Sequence, residues 1–339
     1  MRRLVLLSLL LVSLLAVSGP ITPDANRRNE EQTFLTYPEW FLVHSPAEYA
    51  RYAAADRPLS DFPFWGHIRQ LWASYARVTE ATASYPLNTG YHVMILVIAS
   101  SSTVEYGLRL AYERTLGRLG EWLRGPAPTV EERYAARVAQ DYVNFIRVLP
   151  WYEYDFAQAM HGLWQLPAGG DSLFRKWERR YALSSEYLVK AGYGWLIKQA
   201  TQASYGKELL TTLVVLDQPA APDAQLPDVH LLQTLPDGRQ LLSLPRYEAF
   251  RSHAEALAQQ GANFHEIAGN PPHAKLLLTI LAPANWQPGS GKDQLLFEQP
   301  LLTEPTRKRV ALVTRVGQLG ERLRQLHKQP VELEHIYDY

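Results

Sequence analysis

The stretch NTGYHVMILVIASSSTVEYGLRLAYERTLG, Asn88–Gly117, begins like a membrane span and ends like a helix of a soluble protein. Its reading decides on which side of a membrane most of the chain lies. From Tyr91 to Val104 only His92 can carry charge. That run is about 14 residues, or about 21 Å of helix, against about 30 Å of hydrocarbon. Beyond it Glu105, Arg109 and Glu113 recur at i,i+4, an ion-pair ladder suited to a solvated face. Lengthening the span to about 20 residues would place Glu105 and Arg109 in lipid at a cost of a few kcal/mol each. A second row, Ala99, Thr103, Gly107 and Ala111, is small at every fourth position and lets another helix backbone approach closely, in water or in lipid. The preferred reading is a soluble helix, apolar all round where buried and amphipathic toward its end. A second crossing over residues 91–111 is the alternative.

The N-terminus carries the most specific signal. MRRLVLLSLLLVSLLAVSGP has two arginines, an apolar core from Leu4 to Val17 interrupted by Ser8 and Ser13, and Ala16 and Ser18 placed as the −3 and −1 residues of a cleavage site. Residues 1–20 therefore read as a signal peptide or an N-terminal membrane anchor. Positive flanks stay inside, so the rest of the chain is expected outside, on the periplasmic side of an inner membrane, anchored or released. The chain has no cysteine, which excludes disulfides, thiolate metal sites, a Cys nucleophile and a lipobox anchor. Lys+Arg and Asp+Glu balance at 34 each, so there is no basic field for nucleic acid. At 339 residues, the chain has room for about two domains.

Aromatic residues mark where those domains meet. All tryptophans but Trp286 precede Lys207, whereas the remainder is rich in Leu, Pro and Gln. Residues 21–206 form the expected all-α, aromatic-rich domain and residues 207–339 a smaller α+β domain, giving an α+β protein overall. In the first part, Asp61–Ala83, Thr129–Val148 and Asp171–Tyr205 have helical periodicity. Thr129 and Asp171 are placed as caps, and Pro150 and Gly206 as stops. In the second, LLTTLVVLD, KLLLTILAP, DQLLFEQ, RKRVALVT and PVELEHIY read as strands, and the runs flanking Asp237-Gly238 as a hairpin. Glu248–Gln260 and the stripe Val316, Leu319, Leu323, Leu326 read as two helices on one face of a sheet. No repeat of 20 to 50 residues is apparent.

Familiar chemistry is mostly missing. There is no G-x-G-x-x-G, G-x-S-x-G or H-E-x-x-H. GSGKD, Gly289–Asp293, has part of a phosphate loop but Trp286 and Asp293 stand where Gly and Ser or Thr are needed. Glu332 and His335 have the spacing of a di-iron half-site on what reads as a strand, and His253, His265 and His273 are scattered. No metal site or cofactor is expected from them. The first domain offers His67 in WGHI, His92 at a helix entrance, Glu105, and Glu153 and Asp155 in WYEYDF. A carboxylate among aromatic rings can act as a general acid, or it can simply cap a packed helical core.

The basic run RKWERR gives Arg175, Lys176, Arg179 and Arg180, which suit contact with anionic lipid headgroups beside Trp177 or pairing with Glu178 on a solvated face. Two functions follow. The first is an exported, membrane-tethered or membrane-associated binding or assembly module, without catalytic motif, that meets a membrane surface or a membrane protein. The second is an enzyme or carrier with an apolar pocket for a small molecule or lipid between the long helices, where His92, Glu105, Glu153 and Asp155 are the polar groups.

Overall fold

The computed structural model describes residues 21, 40–81, 83, 89–124, 127–167, 172–202, 211–217, 226–289 and 294–338. The signal segment, the boundary near residue 206, the Asp171 cap and residues 290–293 of the glycine-rich turn lie outside them. The chain is α+β: helices first, then two antiparallel sheets with helices.

The helical half comprises α1 (Trp40–Ala54), α2 (Phe64–Ala81), α3 (Thr89–Tyr112), α4 (Arg118–Arg124), α5 (Val130–Ile146), α6 (Phe156–Trp164) and α7 (Leu173–Gln202). The start of α5 is set as its sequence predicts. The Thr129 hydroxyl accepts from the Glu132 N–H while the Glu132 carboxylate accepts from the Thr129 N–H, so two orphan donors are satisfied reciprocally. Between α3 and α4 a wide π-type turn spans Glu113–Gly117. Among the described residues no helix is long and apolar enough to cross a membrane. The opening stretch is α3, and its charged ladder turns inward: Glu113 is buried against Arg179 and does not face solvent. Aromatic clusters hold the half together, one around Phe62, Phe64 and Tyr106 and another around Phe156, Leu163 and Tyr187.

The second half departs from a single sheet. β1 (Thr211–Leu216), β2 (His230–Thr234), β3 (Gln240–Pro245) and β4 (Phe264–Ile267) form one sheet in the order β2-β3-β1-β4, with α8 (Glu248–Gln259) between β3 and β4. β5 (Lys275–Pro283), β6 (Gln294–Leu301), β7 (Glu304–Arg315) and β8 (Glu332–Asp338) form another in the order β6-β7-β5-β8, with α9 (Leu319–His327) between β7 and β8. The two units have one topology, β-β-β-α-β with the first strand inside. Phe250, Ala254, Leu257, Phe264 and Ile267 in one occupy the places of Leu319, Leu323, Leu326, Leu333 and Ile336 in the other, and all ten enter one shared core. This repeat is longer than any sought in the sequence, and its core positions keep hydrophobicity while changing residue type. Gly238, at φ +86°, turns the predicted β2–β3 hairpin.

The halves share an interface. Leu71, Tyr75 and Val78 of α2 and Ile95 and Ile98 of α3 pack on Leu277, Phe297, Ala311, Val313 and Tyr337 of the second sheet. β5 is thus buried on both faces, which explains its continuous apolar run. Beside this cluster, buried Arg309 forms a bidentate pair with Glu334 at 2.7 and 2.9 Å and reaches Glu48 of α1 at 3.2 Å.

Candidate functional site

Helices α3 and α7 run antiparallel, as their partners show: Ser101 with Tyr193, Glu105 with Lys190, Arg109 with Glu186, Tyr112 with Glu178, Glu113 with Arg179. At the centre of this seam four charges close into a ring. Arg109 meets Glu105 at 3.1 Å and also Glu186; Lys190 meets Glu105 at 2.9 Å and Glu186 at 3.0 Å. Every carboxylate in the ring touches both cations. Burial alone would raise the Glu186 carboxyl, but Arg109 and then Lys190 override it and hold it at about 2. Burial opposes the charge on Arg109, and Glu186 and Glu105 more than offset it, raising the guanidinium well above its usual range.

Beside the ring lies a partly open cavity of about 110 Å³ bounded by α1, α2, α3, α5, α6 and α7. Tyr49, Tyr106, Tyr142, Tyr187 and Phe156 line it, with His67 and the four ring charges on its walls. The Arg109 guanidinium stacks 4.6 Å above the Tyr49 ring. Burial pushes the Tyr49 hydroxyl up to about 12 and raises those of Tyr106 and Tyr142 further, so all three are neutral hydroxyls at physiological pH. Burial, helped by Arg309, lowers His67 to about 3, so it is a neutral imidazole. It stacks on Phe62, with ring centroids 4.9 Å apart. Its Nε2 is buried without a hydrogen-bond partner, since Glu48 is 3.7 Å away, and Arg109 Nε is likewise buried and unpartnered.

The basic run sits elsewhere than its sequence implies. Arg175, Lys176, Arg179 and Arg180 are all buried, Arg175 completely. Arg175 holds Glu132 at 2.7 Å, Glu178 at 2.8 Å and the Gly117 carbonyl at 2.9 Å. Arg179 pairs with Glu113 at 2.7 and 3.2 Å, and Arg180 with Glu131 at 2.9 Å. Lys176 donates to the Pro167 carbonyl. These charged ends therefore form neither a headgroup-binding surface nor a solvated face, because neighbouring helical segments fold over them and supply carboxylates and carbonyls. Gly120 leaves the room: a Cβ there would come within 2.9 Å of Arg175 Nη1.

The outer faces of the same helices are uncharged and largely apolar. On α3 the residues before Ser101, Glu105, Arg109 and Tyr112, namely Ser100, Val104, Leu108 and Ala111, are exposed; on α7 so are those before Glu178, Glu186, Lys190 and Tyr193, namely Trp177, Ser185, Val189 and Gly192. In a right-handed helix, one step back along the chain is a turn of about −100°. For two antiparallel helices that step carries both rows to the same side of the seam. None of these residues is charged. Trp122 and Leu119 of α4 and Trp195 and Leu196 of α7 are also exposed, Trp122 at 78%.

Of the four residues chosen from the sequence as polar pocket groups, only Glu105 lines the cavity. His92 bonds Tyr75 through Nδ1 at 2.9 Å near the sheet interface. Glu153 pairs with Lys198, and Asp155 caps α6 by accepting from the Gln158 N–H at 2.8 Å. Glu186 and Lys190 are the site residues that sequence reasoning misses, although their i,i+4 spacing mirrors Glu105 and Arg109 on the facing helix. His253 spans the Ala249 and Pro227 carbonyls, His265 pairs with Asp217 and His335 with Glu248. Among the described residues no group of three or more His, Asp or Glu side chains is placed to hold a metal ion. No protein-family model, curated protein or solved structure matches the chain.

Proposed function

We propose that the protein is a membrane-associated binding module, exported and held by its N-terminal apolar segment, whose α3–α4–α7 face rests on the outer surface of the bilayer. The observation that carries this reading is the pair of uncharged, exposed rows on α3 and α7, brought to one side by the antiparallel seam. A Val, Leu or Phe side chain moved from water into an apolar phase contributes about 1.5–3 kcal/mol, so a few such residues suffice for firm interfacial attachment. Tryptophans on that face suit the headgroup level, where an apolar ring and a polar N–H are both accommodated. The face lies along the bilayer plane, because the seam charges between the rows are already paired and α3 keeps Glu105 and Arg109 in its length. The aromatic cavity favours a second reading, a carrier for a small molecule, which the face would serve by bringing the cavity close to lipid.

The chain lacks cysteine, so single labels can be placed without background. Spin labels at Val104→Cys, Leu108→Cys and Val189→Cys in full-length protein reconstituted in phosphatidylethanolamine/phosphatidylglycerol vesicles should collide readily with oxygen and poorly with a water-soluble nickel complex. A label at Arg133→Cys, on the exposed side of α5, should do the reverse. Equal access of nickel to all four positions would remove the membrane reading. Immobile labels shielded from both reagents would mean that another protein covers the face.

A further inference from the structure

Charge pairing explains why Arg109 and Lys190 tolerate burial, but it explains neither the cavity beside them nor the two buried nitrogens left unpartnered on residues that line it. A buried donor or acceptor without a partner is costly, and a tightly packed helical interior seldom keeps an aromatic-lined space next to one. His67 Nε2 and Arg109 Nε are two such atoms from residues that line one cavity.

We propose that this cavity binds a small neutral ring carrying a hydroxyl group, a ligand of the phenol class. Three features select it. First, the space of about 110 Å³ is near the size of a single aromatic ring, since engineered apolar cavities of roughly 150 Å³ take benzene. Second, a charged ligand is disfavoured. Each carboxylate of the ring already touches both cations, and His67 is neutral, so an added charge would find no free counter-ion without breaking a closed ring. Third, a hydroxyl both donates and accepts, which is what the imidazole nitrogen of His67 and the Nε–H of Arg109 require of a partner, while Tyr49, Tyr142 and Phe156 offer faces and edges to its ring. The site does not depend on membrane docking, and the two proposals stand or fall separately.

Titration calorimetry of the full-length protein with phenol, fluorobenzene, benzoate and benzylamine tests it, with stoichiometry separating a site from partition into detergent. Phenol should saturate one site per chain, and the two charged compounds should bind at least about tenfold more weakly. His67→Phe keeps the stack on Phe62 but removes the ring nitrogens. It should weaken phenol by about tenfold and leave fluorobenzene unchanged. Ala139→Leu fills the cavity from the α5 side and should abolish binding of both neutral probes. Absence of saturable phenol binding overturns the proposal, as does benzoate binding as tightly as phenol. So does retention of both neutral probes by a folded Ala139→Leu protein, or an unchanged phenol-to-fluorobenzene ratio in His67→Phe.

Discussion

The two halves of this chain solve burial in opposite senses. In the two-sheet half a single core of Leu, Val, Ile, Ala and Phe runs through both repeat units, and buried charges such as Arg246, Glu266 and Arg322 stand outside that apolar cluster. In the helical half, arginines and glutamates occupy the interior between α4, α5 and α7. All the large hydrophobics exposed among the described residues, apart from Leu231, Leu232 and Leu295, lie on that half. A protein surrounded by water gains nothing by turning apolar side chains outward over two long helices. Under the proposed membrane role, that difference is what a helical half resting against lipid would produce.

Replacing the most buried cation tests this contrast hardest. Arg175→Met should destabilise the protein by about 3 kcal/mol or more in urea denaturation, because Glu132 and Glu178 lose their shared partner inside the fold. In the other half Leu278→Ala should cost about 2–5 kcal/mol by lost burial and a residual cavity. The two costs arise differently, and a second substitution separates them. Adding Glu131→Leu to Arg180→Met should recover most of what Arg180→Met loses, since an apolar pair can replace a buried ion pair. No partner substitution should rescue Leu278→Ala. Failure of the rescue would mean that the helical interior needs its charges for more than mutual compensation.

The junction should respond to acid. Burial pushes His44 down from 6.5 to about 4; Arg309 adds to the effect, and Glu334, 3.2 Å from His44 Nδ1, opposes it. Tyr337 and His335 from the sheet and Glu48 from α1 complete the surroundings. The unfolded chain takes up a proton near pH 6.5 that folded His44 refuses until about pH 4, so stability is full above pH 7 and declines as pH falls through that window, by roughly 3 kcal/mol for this one group. His67, lowered to about 3, adds a loss of the same sign. Glu334, held well below its ordinary range by His44 and Arg309 against burial, adds its own at still lower pH. His44→Gln should flatten the slope of stability between pH 7 and 4.5, and an unaltered slope would place the acid sensitivity outside the junction.

Much of the architecture is legible in the residues. The cap at Thr129, the turn at Gly238 and the apolar stripe of α9 are local signals, and local signals survive folding. What is not legible depends on which surfaces meet. Continuous apolar runs such as KLLLTILAP announce strands but not that eight of them divide between two sheets, nor that Leu277 faces the helical half while Leu278 faces the core. The repeat is hidden because only hydrophobicity is kept: Phe250 answers to Leu319 and Ala254 to Leu323. The basic run reads as surface because charge usually is. Only the fold brings Glu113, Glu131 and Glu132 from distant segments to cover it. The cavity is half visible: Glu105 with Arg109 is one rung, and Glu186 with Lys190 is the same rung on a helix some eighty positions away.

The smallest expected effect on stability is the sharpest probe of the contrast. Leu108 and Val189 are about two-thirds exposed, and neither belongs to a core cluster. If their face meets lipid or a partner and not the interior, Leu108→Gln and Val189→Gln should each change the urea-derived stability of the water-dispersed protein by no more than about 0.5 kcal/mol. The same changes in a row that packed inward would cost several times more, as Leu278→Ala should. Vesicle association should move the other way: each glutamine forfeits most of the transfer free energy of an aliphatic side chain, so the double variant should bind vesicles at least about tenfold more weakly. Unchanged stability with weakened association is the signature of a surface shaped by its surroundings. Lost stability would show that the outer rows of α3 and α7 are part of the fold's own support, and the inversion between the two halves would then be only partial.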